Sequence, residues 1–562
     1  MRNPILLILL IIACAGSTCG FFLHADKNVQ SEVAQEKSLL PTVLDSASAE
    51  SRLNRQIANV LASPALRGSS YGIKIFNLVT RQDIYKYRAS EPITPASTMK
   101  LLTSSAALSL YGPSYKIPTE ILADNFSKGI VSGNLYIKGF GDPTFSIQDL
   151  DSLVQSLHNQ GLRKVTGDIV GDGSYFDNIY ERVQYSHDEQ VVEPLPPVSA
   201  LVLGRNTITI VATAGRPGEK ARLQTVPIDP NIHFVNNSIT SGSNARRTRS
   251  TQLHSIRKRK RSYTDYVSSK HVVFASYTNF TSDCTFVPVM NKRRVGRHKG
   301  TARSSLSFSV SHLKDGTSVI SVTGRLPLGR TVSRQFELSD PAPAIAAILK
   351  ARLESDGITV DGDVASDVAP DSARILAKKL TPLVNVLALL NKNSDNYAAE
   401  QVFKMIGARE CPLGGLGSGL ADTSAKYIRA FLAAANINYA GCAICDGSGL
   451  SHRALVTPDL IVGILDKMHS VDSLFHPFYN TLGIAGVDGT IHRRMIGTLA
   501  DSNTHAKTGT LNRVSALAGY VNTRDGELWA FDITMNNINV NAARKIQDKL
   551  VEQLAEFSYK QE

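Results

Sequence analysis

The chain has 562 residues and a formal net charge of +12, with 43% hydrophobic and 20% charged residues. This composition excludes a disordered protein, a collagen-like protein and a membrane protein with many spans. The length allows several domains, since a typical domain has roughly 100–200 residues.

The N-terminal sequence predicts export from the cytoplasm. An uncharged stretch from Asn3 to Leu23 contains an apolar core, Ile5–Ile12, followed by small residues around Cys14. This pattern is typical of a secretory signal. Lipid attachment at the cysteine and an uncleaved membrane anchor over residues 1–23 are the open alternatives. We expect a periplasmic or cell-envelope protein whose residues 24–50 form a polar linker.

The next predicted elements are a helix, a hairpin and a second helix. Apolar spacing predicts the first helix over 51–63, and alternating residues predict hairpin strands over 71–78 and 83–87. A helical run begins at Ser97 and ends before Gly112-Pro113. Residues 115–345 then alternate short β-like runs with turns, which predicts an all-β insertion.

A basic run lies inside this insertion. Residues 244–303 contain 15 Lys and Arg but only two acids, so the remaining chain is almost neutral. The cluster Arg257-Lys-Arg-Lys-Arg261 could contact nucleic-acid phosphates, but the export signal argues against a nucleic-acid partner. Adhesion to anionic envelope polymers or lipid head groups and a solvated loop are the other interpretations.

Helices return after the insertion and strands follow near the C-terminus. Asp525-Gly526 predicts a hairpin turn between the last two strands. The predicted elements are helices over 342–356, 380–391 and 397–406, strands over 504–510, 515–522 and 527–535, and a terminal helix over 541–557.

The six cysteines do not indicate a metal or redox centre. Cys442-Ala-Ile-Cys445 is a CxxC pair, but a redox pair needs a strand-to-helix turn of a βαβ unit. A zinc site would need histidines at ligand spacing, which the sequence lacks. A structural disulfide or buried thiols are therefore the expectation, and we predict neither a metal nor an organic cofactor.

Three short motifs occur in a fixed order along the chain. They are Ser97-Thr-Met-Lys100 at the start of a predicted helix, Ser394-Asp-Asn396 between helices, and Lys507-Thr-Gly509 on a predicted strand. Each alone is common: S-x-x-K occurs by chance, S-D-N is usually a helix cap and K-T-G is usually a turn. The ordered triple is typical of penicillin-recognising serine enzymes.

The residue types of the motifs suit acyl transfer. Three residues apart on a helix, Ser97 and Lys100 share one face, and a lysine whose pKa is lowered by burial can take the serine proton. Ser394 can relay a proton to a leaving amine, and Asn396 can hold a substrate carbonyl. Lys507 contributes a positive field.

The strand that carries the third motif also suits substrate binding. The hydroxyls of Thr508 and Thr510 can bind a substrate carboxylate, and they flank Gly509. If the strand is an exposed edge, an extended peptide can pair with it.

The chain resembles the class C low-molecular-mass penicillin-binding proteins of the peptidase S13 family. The resemblance covers about residues 52–549 and, besides the triple, includes seven further segments. These are Pro95–Lys100, Gly139–Pro143, Gly167–Asp172, Pro197–Ala200, Asp446–Ser451, Ala485–Thr490 and His505–Thr510.

The resemblance implies roles for individual residues. Ser97 would be the acylated nucleophile with Lys100 as its base, and backbone N–H groups of Ser97 and Thr510 would form the oxyanion hole. Asp172 matches a family aspartate that binds the amine of the stem-peptide diamino acid. The family places an arginine just after Asp446–Ser451, and Arg453 stands one position beyond it.

The resemblance also implies an α+β fold, a peptidase domain with an antiparallel sheet between helices, interrupted by two β-rich insertions. We assign residues 51–118 and 340–562 to the peptidase domain. We assign 119–205 and 306–339 to the first insertion and 206–305 to the second.

The implied activity is that of a serine D-Ala-D-Ala carboxypeptidase and endopeptidase. Its partners would be peptidoglycan stem peptides, with β-lactams as covalent inhibitors and anionic envelope polymers as partners of 244–303. A β-lactamase or esterase on the same fold, and a cell-wall-binding protein with an inactive site, are the alternatives.

Overall fold

The computed structural model describes residues 49–188, 193–227, 229–230, 232–242, 304–312, 318–410 and 420–560. The export segment 1–23, nearly all of the linker 24–50 and the basic run 244–303 lie outside these residues, so the predictions made for them stay predictions. In the described ranges, no helix has both the length and the apolar character needed to cross a membrane.

The chain forms two compact units. One contains residues up to Thr207 and those from Glu337 onward, and the other is Ile208–Phe336. The larger unit is built around a six-stranded sheet in which every neighbouring pair is antiparallel. Its strands, in spatial order, are Gly483–Ile484, Thr504–Leu511, Val514–Asn522, Leu528–Asn536, Ser70–Asn77 and Gln82–Tyr87.

Helices cover both faces of this sheet. Successive residues of a strand point to opposite faces, and accordingly Trp529 and Ala530 belong to different hydrophobic clusters. Trp529 packs with the helix over residues 49–61 and with the terminal helix Val540–Glu556. Ala530 packs in the cluster of the helices that carry the first two motifs. The predicted fold class, an antiparallel sheet between helices, is confirmed.

The helix Met99–Tyr111 is the centre of the second layer. Every residue from Met99 to Leu108 is buried, including the polar ones, because other helices surround it. The surrounding helices are Leu383–Lys392, Asn396–Glu410, Leu420–Ala434, Pro458–His469 and Asp472–Tyr479. The first motif thus stands at the N-terminal end of a rigid, fully enclosed helix.

The insertion within the larger unit has its own five-stranded sheet. A small four-stranded sheet, formed by Thr359–Val360, Lys164–Val165, Ile130–Val131 and Phe126–Ser127, accompanies it. The strands of the five-stranded sheet, in spatial order, are Val364–Ser366, Ile169–Asp172, Leu135–Gly139, Lys116–Ala123 and Arg374–Pro382.

The sequence pattern predicted an all-β insertion, but the insertion also contains helices. Helix Ile147–Asn159 was not predicted; it packs against the strands and against helix Pro341–Ser355, which was predicted over 342–356. The first begins with a capping box, in which the Ser146 hydroxyl accepts from Asp149 N and the Asp149 carboxylate accepts from Ser146 N. Such a box is a sequence signature of a helix start, so the helix was predictable. The short helix Arg182–Ser186 lies further along.

The strand pairing also places part of the predicted peptidase domain in the inserted sheet. Residues 340–382, which we assigned to the peptidase domain, complete the inserted sheet, because Arg374–Pro382 pairs with Lys116–Ala123 along its length. Residues 306–339, which we assigned to the first insertion, supply strands to the smaller unit instead.

The smaller unit contains two three-stranded sheets. Ile210, Ile320 and Val322 form part of its apolar core. One sheet contains Arg222–Val226, Thr207–Thr213 and Thr331–Glu337, and the other contains Ile232–Ser241, Ser318–Pro327 and Ser307–His312. The basic run falls between two strands of the second sheet.

Candidate active site

Ser97 and Lys100 lie together at the start of the central helix. A turn of 3-10 helix, Ala96–Thr98, leads directly into Met99–Tyr111. Ala96 has a φ of 51°, in the left-handed region that non-glycine residues rarely adopt. Backbone strain of this kind is concentrated at functional sites. Lys100 Nζ donates to Ser97 Oγ at 2.9 Å, as the i, i+3 spacing allows.

The Lys100 amine is enclosed by acceptors. Besides the serine, it donates to Asn396 Oδ1 at 2.7 Å and to the Ser448 carbonyl at 2.8 Å. Burial lowers the pKa of Lys100 to about 8, although the nearby carboxylates of Glu400 and Asp446 oppose this shift. A substantial fraction of the amine is therefore neutral in mildly alkaline solution and able to accept a proton.

The second motif is held by a salt bridge. Arg205 donates to both oxygens of Asp395, at 2.7 and 3.0 Å, while Asp395 Oδ1 also accepts from Ala398 N at the start of helix Asn396–Glu410. Ser394 has a φ of 58°. The hydrogen bonds that Asp395 accepts from Arg205 and from Ala398 N thus fix the turn that contains Ser394 and Asn396.

The third motif lies on strand Thr504–Leu511, beside the first two. Lys507 is fully buried, and its Nζ donates to Ser394 Oγ at 2.9 Å and to the Thr508 carbonyl at 2.6 Å. Burial, reinforced by the charge of Lys100, lowers its pKa well below the usual value. The three motifs therefore form one hydrogen-bonded group.

The strand approaches the nucleophile closely at Gly509. A Cβ added there would lie 2.5 Å from the Pro95 carbonyl oxygen and 3.2 Å from Ser97 N. Only glycine allows this approach, so the motif glycine has a steric reason.

The motifs border an open cavity of about 740 Å³. Its lining includes Ser97, Glu193, Ser394, Asn396, Thr508 and Thr510. The adjacent strand Gly483–Ile484 pairs only with residues 505–506. Residues 507–510 consequently have one edge without a strand partner among the described residues.

Two further residues contact the threonines of the strand. Thr490 Oγ1 lies 2.7 Å from Thr508 Oγ1, and Arg544 Nη2 donates to Thr510 Oγ1 at 3.2 Å. Arg544 comes from the terminal helix, so it adds a cation to the side of the cavity where the hydroxyls lie. No local sequence pattern marks this arginine.

A buried carboxylate stands behind Lys100. Glu400 Oε1 accepts from Ser448 N at 2.9 Å, and its Oε2 accepts from Gly447 N at 3.2 Å and from the Tyr185 hydroxyl at 2.9 Å. Burial and the charge of Asp446 raise the pKa of Glu400 to about 7. Glu400 thus holds the residue, Ser448, whose carbonyl accepts from Lys100.

Neither residue predicted to bind the rest of the substrate lines this cavity. The side chain of Asp172 is fully buried in the inserted sheet, where its carboxylate accepts from Lys138 Nζ at 3.0 Å and from Ser174 N and Ala369 N at 2.9 Å. Its hydrogen bonds hold the inserted sheet, and its assignment as a substrate ligand stays a prediction.

The position of Arg453 also differs from the prediction. Arg453 Nη1 donates to the His187 carbonyl at 2.6 Å, and the residue lines a separate cavity of about 280 Å³ together with Cys445. Its hydrogen bond to the backbone directs it away from the Ser97 cavity.

The CxxC pair is present as two thiols. Cys442 and Cys445 are free and half-buried, and burial raises the pKa of both thiols above the ordinary value. Of the two structural expectations, buried thiols rather than a disulfide describe this state. In the described part of the chain, no group of three or more His, Cys, Asp or Glu side chains has the geometry to hold a metal ion.

Comparison with known proteins agrees with the geometry. Residues 53–264 and 281–557 match the model of the D-Ala-D-Ala carboxypeptidase 3 (S13) family. D-alanyl-D-alanine carboxypeptidase of Actinomadura sp. (strain R39) is 28% identical over 541 residues, which cover 92% of this chain and 87% of the relative. D-alanyl-D-alanine carboxypeptidase DacB of Haemophilus influenzae is 26% identical over 476 residues, covering 83% and 85% of the two chains.

A solved structure has the same fold. Penicillin-binding protein 4 (dacB) of Haemophilus influenzae superimposes with a TM-score of 0.63 at 23% identity, covering 90% of this chain and 99% of that one. Sequence and fold therefore agree over nearly the whole described chain. This protein belongs to the D-Ala-D-Ala carboxypeptidase (S13) family, as its motifs predicted.

Proposed function

We propose that this D-Ala-D-Ala carboxypeptidase acts through an acyl-enzyme on Ser97 and cleaves stem peptides and their D-Ala cross-links in the cell envelope. The observation that carries the proposal is the contact between Ser97 Oγ and Lys100 Nζ at 2.9 Å, together with a lysine pKa of about 8. A neutral amine in this position is the base that a serine nucleophile needs.

Acylation begins with proton transfer. Lys100 takes the hydroxyl proton of Ser97, whose Oγ attacks the carbonyl carbon of the penultimate D-Ala. The negative charge on the carbonyl oxygen is stabilised by backbone N–H groups of Ser97 and Thr510, the pair that the family resemblance implies.

The leaving amine needs a proton. Ser394 Oγ accepts a hydrogen bond from Lys507 Nζ, so its own O–H is available to donate. Ser394 passes its hydroxyl proton to the leaving nitrogen while the bond between that nitrogen and the carbonyl carbon breaks. Ser394 is then reprotonated with the proton that Lys100 took from Ser97, which leaves Lys100 neutral again. The carboxylate beside the leaving nitrogen lies against the hydroxyls of Thr508 and Thr510 and the charge of Arg544.

The substrate peptide lies along the open edge of residues 507–510. Backbone pairing with an edge strand binds an extended peptide with little dependence on its side chains. A β-lactam presents an acyl carbonyl to the same serine, so β-lactams would acylate Ser97 and inhibit the enzyme.

Labelling by a fluorescent penicillin tests this mechanism. Wild-type protein is expected to give a stable band on a denaturing gel, and Ser97→Ala none. Ser105→Ala, which alters a buried serine of the same helix that lies outside the cavity lining, is the matched control and should label normally.

The outcomes separate the alternatives. Labelling of Ser97→Ala would overturn the assignment of the nucleophile. Rapid loss of the label with release of hydrolysed penicillin would favour a β-lactamase, and folded wild-type protein without label or D-Ala release would favour an inactive wall-binding protein.

A further inference from the structure

One carboxylate of the cavity has no role in the acylation steps. Glu193 is exposed, lines the same cavity as Ser97, and accepts a hydrogen bond from Asn396 Nδ2 on its Oε2 at 2.6 Å. The other end of that amide, Asn396 Oδ1, accepts from Lys100 Nζ, which donates to Ser97 Oγ. Glu193 is thus joined to the nucleophile through two side chains while remaining open to solvent.

Hydrolysis of an acyl-enzyme needs a base for water. Lys100, the base of acylation, is buried and does not line the cavity, and the cavity lining offers few other bases. Besides Glu193, the titratable side chains in its described lining are His492 and three arginines. Arginines remain protonated and cannot act as bases. His492 Nδ1 lies 2.8 Å from the Gly489 carbonyl of its own turn, apart from the motif network.

We propose that Glu193 is the general base that activates water for hydrolysis of the Ser97 acyl-enzyme. This role rests on the acyl-enzyme mechanism proposed above. Asn396 fixes one oxygen of the carboxylate, and the exposed side chain lines the cavity that also contains Ser97.

The step balances as an ester hydrolysis. Glu193 removes one proton from water as the water oxygen forms a bond to the acyl carbon. The bond between the acyl carbon and Ser97 Oγ then breaks, and its electron pair goes to Oγ, which takes the proton that Glu193 removed. The products are the free serine and the shortened peptide, whose new carboxyl group ionises in water.

The variant Glu193→Gln separates a base from a residue that only positions Asn396. A glutamine oxygen can still accept from Asn396 Nδ2, so the amide remains oriented, but the side chain cannot take a proton. Glu193→Ala removes both properties. Glu354→Gln, on the exposed face of helix Pro341–Ser355, is a matched charge-removal control.

The experiment uses the full-length protein and a peptide ending in D-Ala-D-Ala. Release of D-Ala is followed in time, and the acylated fraction is measured by mass spectrometry of the intact protein. Glu193→Gln should release about one equivalent of D-Ala at the wild-type rate and then slow by about 100-fold or more, with acylated protein accumulating. Glu354→Gln should match wild type.

Three results would overturn the role. The first is wild-type turnover by Glu193→Gln. The second is that Glu193→Gln and Glu193→Ala fail equally to release the first equivalent of D-Ala. The third is slow deacylation in His492→Gln with normal deacylation in Glu193→Gln. Failure of the acyl-enzyme mechanism itself gives a different pattern, since wild-type protein would then never become acylated.

Discussion

At the scale of single residues, Glu400 connects a buried loop to the Lys100 amine. Its carboxylate accepts from the backbone N–H groups of Gly447 and Ser448, and the Ser448 carbonyl accepts from Lys100. The charge of Glu400 is also the largest influence opposing the effect of burial on the pKa of Lys100. The residue therefore acts on the proposed base both through hydrogen bonds and through its field.

We expect Glu400→Gln to move the pH dependence of acylation. With the negative charge removed, the pKa of Lys100 should fall further below about 8. Because the neutral amine is the active form, the rise of the acylation rate with pH should then occur at lower pH. The measurement is the rate constant for penicillin acylation from pH 5 to pH 10.

The same variant has a structural effect that needs a control. A glutamine NH₂ cannot accept from the loop, so unfolding by urea should show a loss of stability of about 1–3 kcal/mol. The surface variant Glu354→Gln should change neither property. An unmoved pH profile in folded Glu400→Gln protein would contradict the electrostatic role.

At the scale of elements, what could be predicted depends on the distance between partners along the chain. The contact between Ser97 and Lys100 follows from one helical turn, and the C-terminal strands follow from alternation and the Asp525-Gly526 turn. All were predicted, and the strands and their turn are confirmed by the sheet. These features are local, so a short stretch of sequence contains the information.

Partners that lie far apart in the sequence were not predictable in this way. Arg205 and Asp395 are 190 positions apart in the sequence, and no pattern around either residue indicates the other. Asp172 shows the reverse case, because its motif suggested a ligand although the folded sheet uses its carboxylate internally. Domain boundaries failed for the same reason, since Arg374–Pro382 joins a strand near residue 120.

The salt bridge between Arg205 and Asp395 should support catalysis more than stability. Arg205→Lys keeps the charge but loses the two-pronged geometry, so Ser394 and Asn396 should be less well positioned. We expect the acylation rate to fall by about tenfold or more, while urea unfolding changes little. Asp395→Asn should give a similar defect, and the acylation rate of the double variant should be no lower than that of either single variant. A loss of stability with unchanged acylation would refute this.

At the scale of the whole molecule, one buried acid makes the stability of the central sheet depend on pH. Asp532 lies in strand Leu528–Asn536, and its carboxyl accepts only the Thr534 hydroxyl among the described residues. Burial raises its pKa to about 7. The folded protein therefore keeps a proton at mildly acidic pH that the unfolded chain, with an ordinary carboxyl pKa near 4, has released.

The sign of the effect follows from this difference. A raised carboxyl pKa in the folded state favours folding at low pH, and this contribution is lost as pH rises through about 7. Asp532→Asn should be more stable than wild type at pH 8, by an amount on the order of 3 kcal/mol relative to the difference at pH 5. Urea unfolding of both proteins at pH 5 and pH 8 measures it, and a difference independent of pH would disprove it.

The arrangement of the central sheet has a consequence for when the enzyme becomes active during its synthesis. Strand Ser70–Asn77 pairs with Leu528–Asn536, so an early segment is paired with one made much later. A ribosome delivers the N-terminal part first. Ser97 therefore has neither Lys507 nor its strand until the chain has been made through Leu511, and a product truncated before that point has the serine but no working peptidase.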